Sequence, residues 1–284
     1  MTDERQRRER RGGRHRAAPS RAAVRALAAV GAVLIAGLVL VLGWRATGGR
    51  WLSVDSPSMG QAAPVGTLVL TRPIALDQVR VGDIISFDPV EGGVTHTHRV
   101  VRITDGAVFT KGDINGAEDP RPVAADHLVG AVVARLWGVA YVIKALPILL
   151  PGAGLVWLLT RWSTPRWRMA TRLVGYSLVV CAAIVALRPL VNAAVLTTLG
   201  EAGLTTATVV ATGVLPVRVR DPDGVFADLH SGQVAELVSK AANSDGQVPF
   251  AVDAHMSVLW WTVCLALCCV PFAVSVYLGR RTVR

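Results

Sequence analysis

Ala26-Leu-Ala-Ala-Val-Gly-Ala-Val-Leu-Ile-Ala-Gly-Leu-Val-Leu-Val-Leu-Gly-Trp44 is a run of 19 uncharged residues, and its reading decides the class of this chain. A bilayer core of about 30 Å is crossed by about 20 residues of helix. The pattern returns three times. Met256 to Gly279 supplies 24 uncharged residues, and Leu136 to Thr160 carries one charge, Lys144, near enough to an end to snorkel. Leu173 to Leu187 gives only 15 uncharged residues before Arg188-Pro189. It spans only if Arg188 reaches the interface or the helix continues beyond it. Four transmembrane helices are therefore expected, over residues 26–44, 139–160, 173–190 and 256–279. Composition agrees: 52% of residues are hydrophobic and 18% charged, against about 45–50% and about 25% in soluble domains. A disordered or collagen-like chain is excluded.

The formal charge of +10 could suggest nucleic acid, but its placement speaks for topology. Residues 1–25 hold nine Arg and three acids, residues 161–172 four Arg and no acid, and residues 280–284 three Arg. In a four-span chain these segments share one side, which the positive-inside rule makes the cytoplasm. The other side is acidic: residues 44–138 carry nine basic and ten acidic groups, and residues 191–255 three and seven. No basic outer patch is left to bind phosphates, so nucleic acid is not an expected partner. Residues 1–25 thus read as a cytoplasmic tail, 161–172 as a cytoplasmic loop and 280–284 as a second tail. The first span is longer than the apolar region of a cleaved secretory signal and leads into Trp44 and Trp51, so it reads as an uncleaved signal anchor. Cys181, Cys264, Cys268 and Cys269 all fall in expected spans, which leaves no outer thiols for disulfides or metal.

Residues 45–138 read as β-structure. Thr67–Thr71, Ile84–Phe87, Thr97–Ile103, Ala107–Thr110 and Leu128–Val133 are short runs rich in β-branched residues, separated by turn signals such as Val81-Gly-Asp83 and Asp105-Gly106. Strands at this spacing suggest a curved sheet or partial barrel. Three polar clusters punctuate them: Ser56-Pro-Ser-Met59, Thr95-His-Thr-His-Arg-Val-Val101, and Lys111-Gly-Asp-Ile-Asn-Gly-Ala-Glu-Asp-Pro120. Together they contain a hydroxyl nucleophile, an imidazole base and a carboxylate orienter. Taken singly each is ordinary. Ser58 follows Pro57 in a turn, His96 and His98 share one strand face, and Asp113 and Asp119 adjoin Gly and Pro, where aspartate serves turns.

In combination and order these boxes resemble the type I signal peptidases, over about residues 26–150. Ser56-Pro-Ser58-Met59 matches the family's Ser-x-Ser-Met just past a signal anchor, and Val81-Gly-Asp-Ile84 its strand entry. Thr97-His98-Arg99-Val100-Val101 matches the branch that uses a histidine base, the endoplasmic-reticulum and archaeal-like branch; the chain's three lysines, at 111, 144 and 240, are elsewhere. Lys111-Gly-Asp-Ile-Asn115 matches the Lys-Gly-Asp box, with Asp119 six residues after Asp113. The resemblance implies a serine endopeptidase removing signal peptides at the outer face of the plasma membrane. Ser58 would be nucleophile, His98 base, and Asp119, or else Asp113, the orienting carboxylate. Ser58 N–H and the Ser56 hydroxyl would form the oxyanion site. No cofactor or metal is implied; the partners are preproteins, the bilayer and secretion machinery. One departure stands out: after Met59 the chain runs Gly60-Gln-Ala-Ala-Pro64, where the family has an acidic or small residue and Pro-Thr. That altered loop keeps a second reading open, an inactive or specialised scaffold with a signal-peptidase-like fold. Residues 191–255 form a second outer segment, with Val209–Arg220 expected as strand and Val234–Ala242 as helix.

Overall fold

In a computed structural model of the chain, the described residues are 21–89, 93–188, 190–201, 204–240, 249–266 and 269. The chain divides into residues 1–48 and residues 49–284. In the first, helix α1 (Arg21–Ala46) has 26 residues and is uninterrupted by Pro. It contains the expected 26–44 span and extends it into both flanks.

Residues 49–284 are rich in β-structure. Strands β1 (Arg50–Ser53), β2 (Leu68–Arg72), β3 (Ile84–Phe87), β4 (His96–Thr104), β5 (Ala107–Lys111) and β6 (Leu128–Leu136) form one sheet in the order β1-β2-β6-β3-β4-β5. Every neighbouring pair is antiparallel. Alternation sets the buried face: on β3 and β4 the side chains of Ile85, Phe87, His98 and Val100 are inside. Ile85, Phe87 and Val100 pack with Val79, Val108 and Val123 in one cluster, and Val54, Met59, Ala63 and Val69 form another beneath β1 and β2. β1 was not expected.

β6 leads into α2 (Val139–Thr160), which turns back through α3 (Pro165–Leu187). These two described helices are long and apolar enough to cross a membrane. Small residues let them approach: a Cβ added at Gly152 would lie 2.5 Å from Val179, and one at Gly175 would lie 2.8 Å from Val156. The third expected span is displaced. The helix gains length at its amino end, starting at Pro165, a residue suited to the first helical position. It stops at Leu187, where Arg188 turns left-handed with φ 46°. The expected loop 161–172 is correspondingly mostly helical. Lys144 on α2 has a specific partner, the Asp55 carboxylate.

The remaining strands are β7 (Ala193–Glu201), β8 (Leu204–Ala211), β9 (Val217–Arg220), β10 (Phe226–Leu229), β11 (Val234–Ser239) and β12 (Ala251–Ala254). They make two three-stranded sheets, β11-β8-β7 and β10-β9-β12, around Val209, Ala211, Val217, Val219, Leu229 and Leu237. The expected helix over 234–242 is corrected. Val234-Ala-Glu-Leu-Val-Ser239 contains good helix formers, but it pairs residue for residue with β8 and buries Leu237 and Ser239. Pairing and burial override intrinsic propensity here. The expected strand over 209–220 is two strands parted by a turn. Residues 258–266 and 269 are helical, and the rest of the expected 256–279 span lies outside the described residues.

Candidate active site

β1 ends at Ser53, and the chain crosses the sheet edge as Ser56-Pro57-Ser58-Met59 before a 3-10 turn at Gly60–Ala62. Met59 is 1% exposed and anchors this segment in the core beside Val54 and Val69. Two backbone bonds fix the turn: Gly60 N–H to Pro57 O at 2.7 Å, and Ile114 N–H to Ser58 O at 3.0 Å. Ser58 is left half-buried with its hydroxyl facing β4.

Three side chains far apart in sequence meet there. Ser58 Oγ lies 3.1 Å from His98 Nε2, and His98 Nδ1 lies 2.7 Å from Asp119 Oδ2. An ionised aspartate can only accept, so Nδ1 carries the imidazole proton and Nε2 accepts from the serine. Asp119 is steadied twice. Its Oδ2 accepts the Thr110 hydroxyl at 2.6 Å, and its N–H donates to Thr110 O at 2.8 Å. His98 is 5% exposed, edge-on to Phe87 at 6.2 Å, so little water competes for its ring nitrogens. Ser56 Oγ stands 3.2 Å from Ser58 Oγ. No described residue accepts a bond from the Ser58 N–H.

The two aspartates part company. Asp113 is not brought to the imidazole: Arg99 holds both its oxygens, Nε to Oδ1 at 2.9 Å and Nη2 to Oδ2 at 2.7 Å, and donates to Gly82 O as well. Those hydrogen bonds to Asp113 raise the Arg99 pKa above its ordinary value, against a smaller opposing effect of burial. The Asp113 carboxylate thus forms an ion pair that ties the Lys111–Asn115 turn to β4. His96 shares the His98 face, with ring centroids 5.5 Å apart, but is exposed.

Two participants escaped the sequence reading. Thr110 is a fully buried hydroxyl at a core position of β5, and that polar residue in an inward slot was the available signal. Asn115 lines a cleft of about 450 Å³ that opens on Ser58 and His98 between residues 53–58 and 94–98. Among the described residues no cluster of three or more His, Cys, Asp or Glu could hold a metal ion. Comparison with known proteins adds no relationship: no family model matches the chain, and no curated protein does.

Proposed function

We propose that this chain is a membrane-bound serine endopeptidase that removes signal peptides from exported proteins, with Ser58 as nucleophile, His98 as general base and Asp119 as its orienting carboxylate. The observation that carries this reading is the hydrogen-bonded line from Ser58 through His98 to Asp119, closed at 3.1 and 2.7 Å. Hydrolysis at neutral pH needs a serine whose proton has somewhere to go, and this line provides it. Ser58 Oγ attacks the scissile carbonyl as His98 Nε2 takes its proton. The imidazolium, stabilised by Asp119, then gives that proton to the leaving amine, and water repeats the sequence to release the acyl group. Charge developing on the carbonyl oxygen is met by the Ser58 N–H, with the Ser56 hydroxyl as second donor.

Substrate access supports a peptide. β4 pairs with β3 along His96–Arg99, but its pairing with β5 begins only at Arg99. Among the described residues no strand pairs with the cleft-side edge of residues 95–98, and an extended segment can add there through its backbone. In this reading the chain crosses the plasma membrane four times, with both termini cytoplasmic and residues 45–138 and 191–255 outside, as the arginine distribution suggests. Lys144 and Asp55 link the beginning of α2 to the segment leading to Ser58, which keeps the site near the membrane surface where preproteins emerge.

The test is cleavage of a purified preprotein by the full chain in detergent, beside Ser58→Ala. Cleavage lost in the variant supports the enzyme, and absence of cleavage in both leaves the scaffold reading. For topology, cysteines placed at Gly92 and at the exposed Asp253 should both label from outside intact cells; labelling of either only after permeabilisation removes the four-span arrangement.

A further inference from the structure

The loop after Met59, where Gly60-Gln-Ala-Ala-Pro64 departs from the family's pattern, meets a feature of the second β unit, the sheets β11-β8-β7 and β10-β9-β12. Gly60 is buried with φ +50°, a conformation that favours glycine. A Cβ there would lie 2.6 Å from Ile114 Cγ2 on one side and 3.3 Å from Gly232 O on the other. Gly232 sits in the turn between β10 and β11 with φ +76°. A Cβ on it would lie 2.4 Å from Gly60 O, 2.6 Å from Gly60 C and 2.8 Å from Gln61 N. All three are backbone atoms, so nothing flexible can yield. The turn carrying Gly232 is itself held, by Gly232 N–H to Ala211 O at 2.8 Å, Gln233 N–H to His230 O at 2.8 Å, and His230 N–H to Gln233 Oε1 at 2.7 Å.

We propose that the His230–Gln233 turn is a positioning element for Ser58: the Gly232 backbone seats the Gly60 turn and thereby fixes the nucleophile against His98. This rests on the reading of Ser58 as nucleophile. The Gly60 N–H closes the turn that carries Ser58, and Ile114 N–H holds the Ser58 carbonyl from the opposite side. Displacement of Gly60 by a few tenths of an ångström therefore transmits to Ser58 Oγ. The second unit then completes the catalytic one, and the glycine at 60 is the residue that permits the contact.

Gly232→Ala tests this beside Gly224→Ala. Gly224 has φ +87°, so alanine there meets the same backbone strain, but nothing lies within 4 Å of its added Cβ. Gln233→Ala is a milder variant that loosens the turn without a clash. We expect Gly232→Ala to lower kcat by about 10–100-fold with KM near wild type, since small misplacements of reacting groups cost this much. Gln233→Ala should lower it by a few-fold and Gly224→Ala by less than about twofold. Labelling by a serine-directed fluorophosphonate should slow in the same order. Hydrogen exchange at the Gly60 and Ala62 amides should quicken in Gly232→Ala and not in Gly224→Ala. Equal kinetics and equal exchange in the two glycine variants overturn the proposal. If wild type does not cleave the preprotein, the peptidase reading falls, and the exchange comparison alone still decides whether the turn seats Gly60.

Discussion

Each β unit contains one imidazole beside one aspartate, and the two pairs behave as different objects. In the six-stranded unit His98 meets Asp119 at 2.7 Å, with side chains 7% and 17% exposed. In the two-sheet unit His255 lies 3.6 Å from Asp228, with side chains 51% and 40% exposed. Arg218 also takes both oxygens of Asp228, at 2.6 and 2.7 Å. The second carboxylate is thus neutralised by a guanidinium before any imidazole can use it, and among the described residues no serine completes the line. Among the described residues the first has no cation beside it, and the Thr110 hydroxyl bonds it instead, while its imidazole turns its other nitrogen to Ser58. Burial, freedom from a competing cation and a hydroxyl partner separate a chemical pair from a surface one.

The harshest way to break this contrast is to remove the hydroxyl or the base. Ser58→Ala and His98→Ala should each lower preprotein cleavage by about 10⁴–10⁶-fold, leaving what binding and oxyanion donors supply. His255→Ala and His96→Ala should stay within a few-fold of wild type. Turnover of Ser58→Ala or His98→Ala near the His255→Ala rate would erase the distinction between the pairs.

Asp119→Asn sharpens it. An amide donates where the carboxylate accepts, so the imidazole is pushed to the wrong tautomer, and turnover should fall by about 10³–10⁴-fold with folding preserved. Thr110→Val acts through Asp119 and should cost about tenfold, more in kcat than in KM. An Asp119→Asn enzyme that cleaves normally would mean that His98 needs no carboxylate.

Much of this arrangement is legible in sequence, for physical reasons. Strands β2 to β6 reveal themselves as runs rich in β-branched residues between turn signals. β1 hides because Arg50-Trp-Leu-Ser53 is a short edge strand without a β-branched residue. Ser58 and His98 could be singled out by their boxes. The spacing favours Asp119 over Asp113 without excluding Asp113, because both adjoin turn residues; the β5–β6 loop brings Asp119 to the imidazole by tying its N–H to Thr110 O. The helix expected at Val234 fails because propensity is local and pairing with β8 is not. Gly60 against Gly232 leaves no local trace, because the contact joins residues far apart in sequence.

Asp113→Asn should have a different signature from Asp119→Asn. It removes a bidentate but partly exposed ion pair, 35% and 24% exposed. Pairs of this kind contribute about 0.5–1 kcal/mol. In a domain this size the midpoint should drop by about 1–4 °C, and turnover by less than tenfold once folding is controlled. A variant with an unchanged midpoint and lost activity would move Asp113 into the chemistry.

The smallest effect belongs to the exposed pair. Hydrogen bonds from Arg218, aided by its charge and that of His255, hold the Asp228 carboxyl below its ordinary pKa, against a smaller opposing effect of burial. A carboxyl depressed on folding binds its proton less readily folded than unfolded. Its stabilisation is therefore full above the ordinary carboxylate range and is lost as pH falls through the depressed value. Both partners reach solvent, so the effect is screened by salt and small. Thermal midpoints of wild type and Asp228→Asn should differ slightly at pH 7 and converge as pH falls below the ordinary carboxylate range, with a smaller gap at high salt. Preprotein cleavage by the variant at pH 7 should match wild type. A gap that widens as pH falls would reverse the sign of the linkage, and a large loss of cleavage would give the second carboxylate the role assigned to the first.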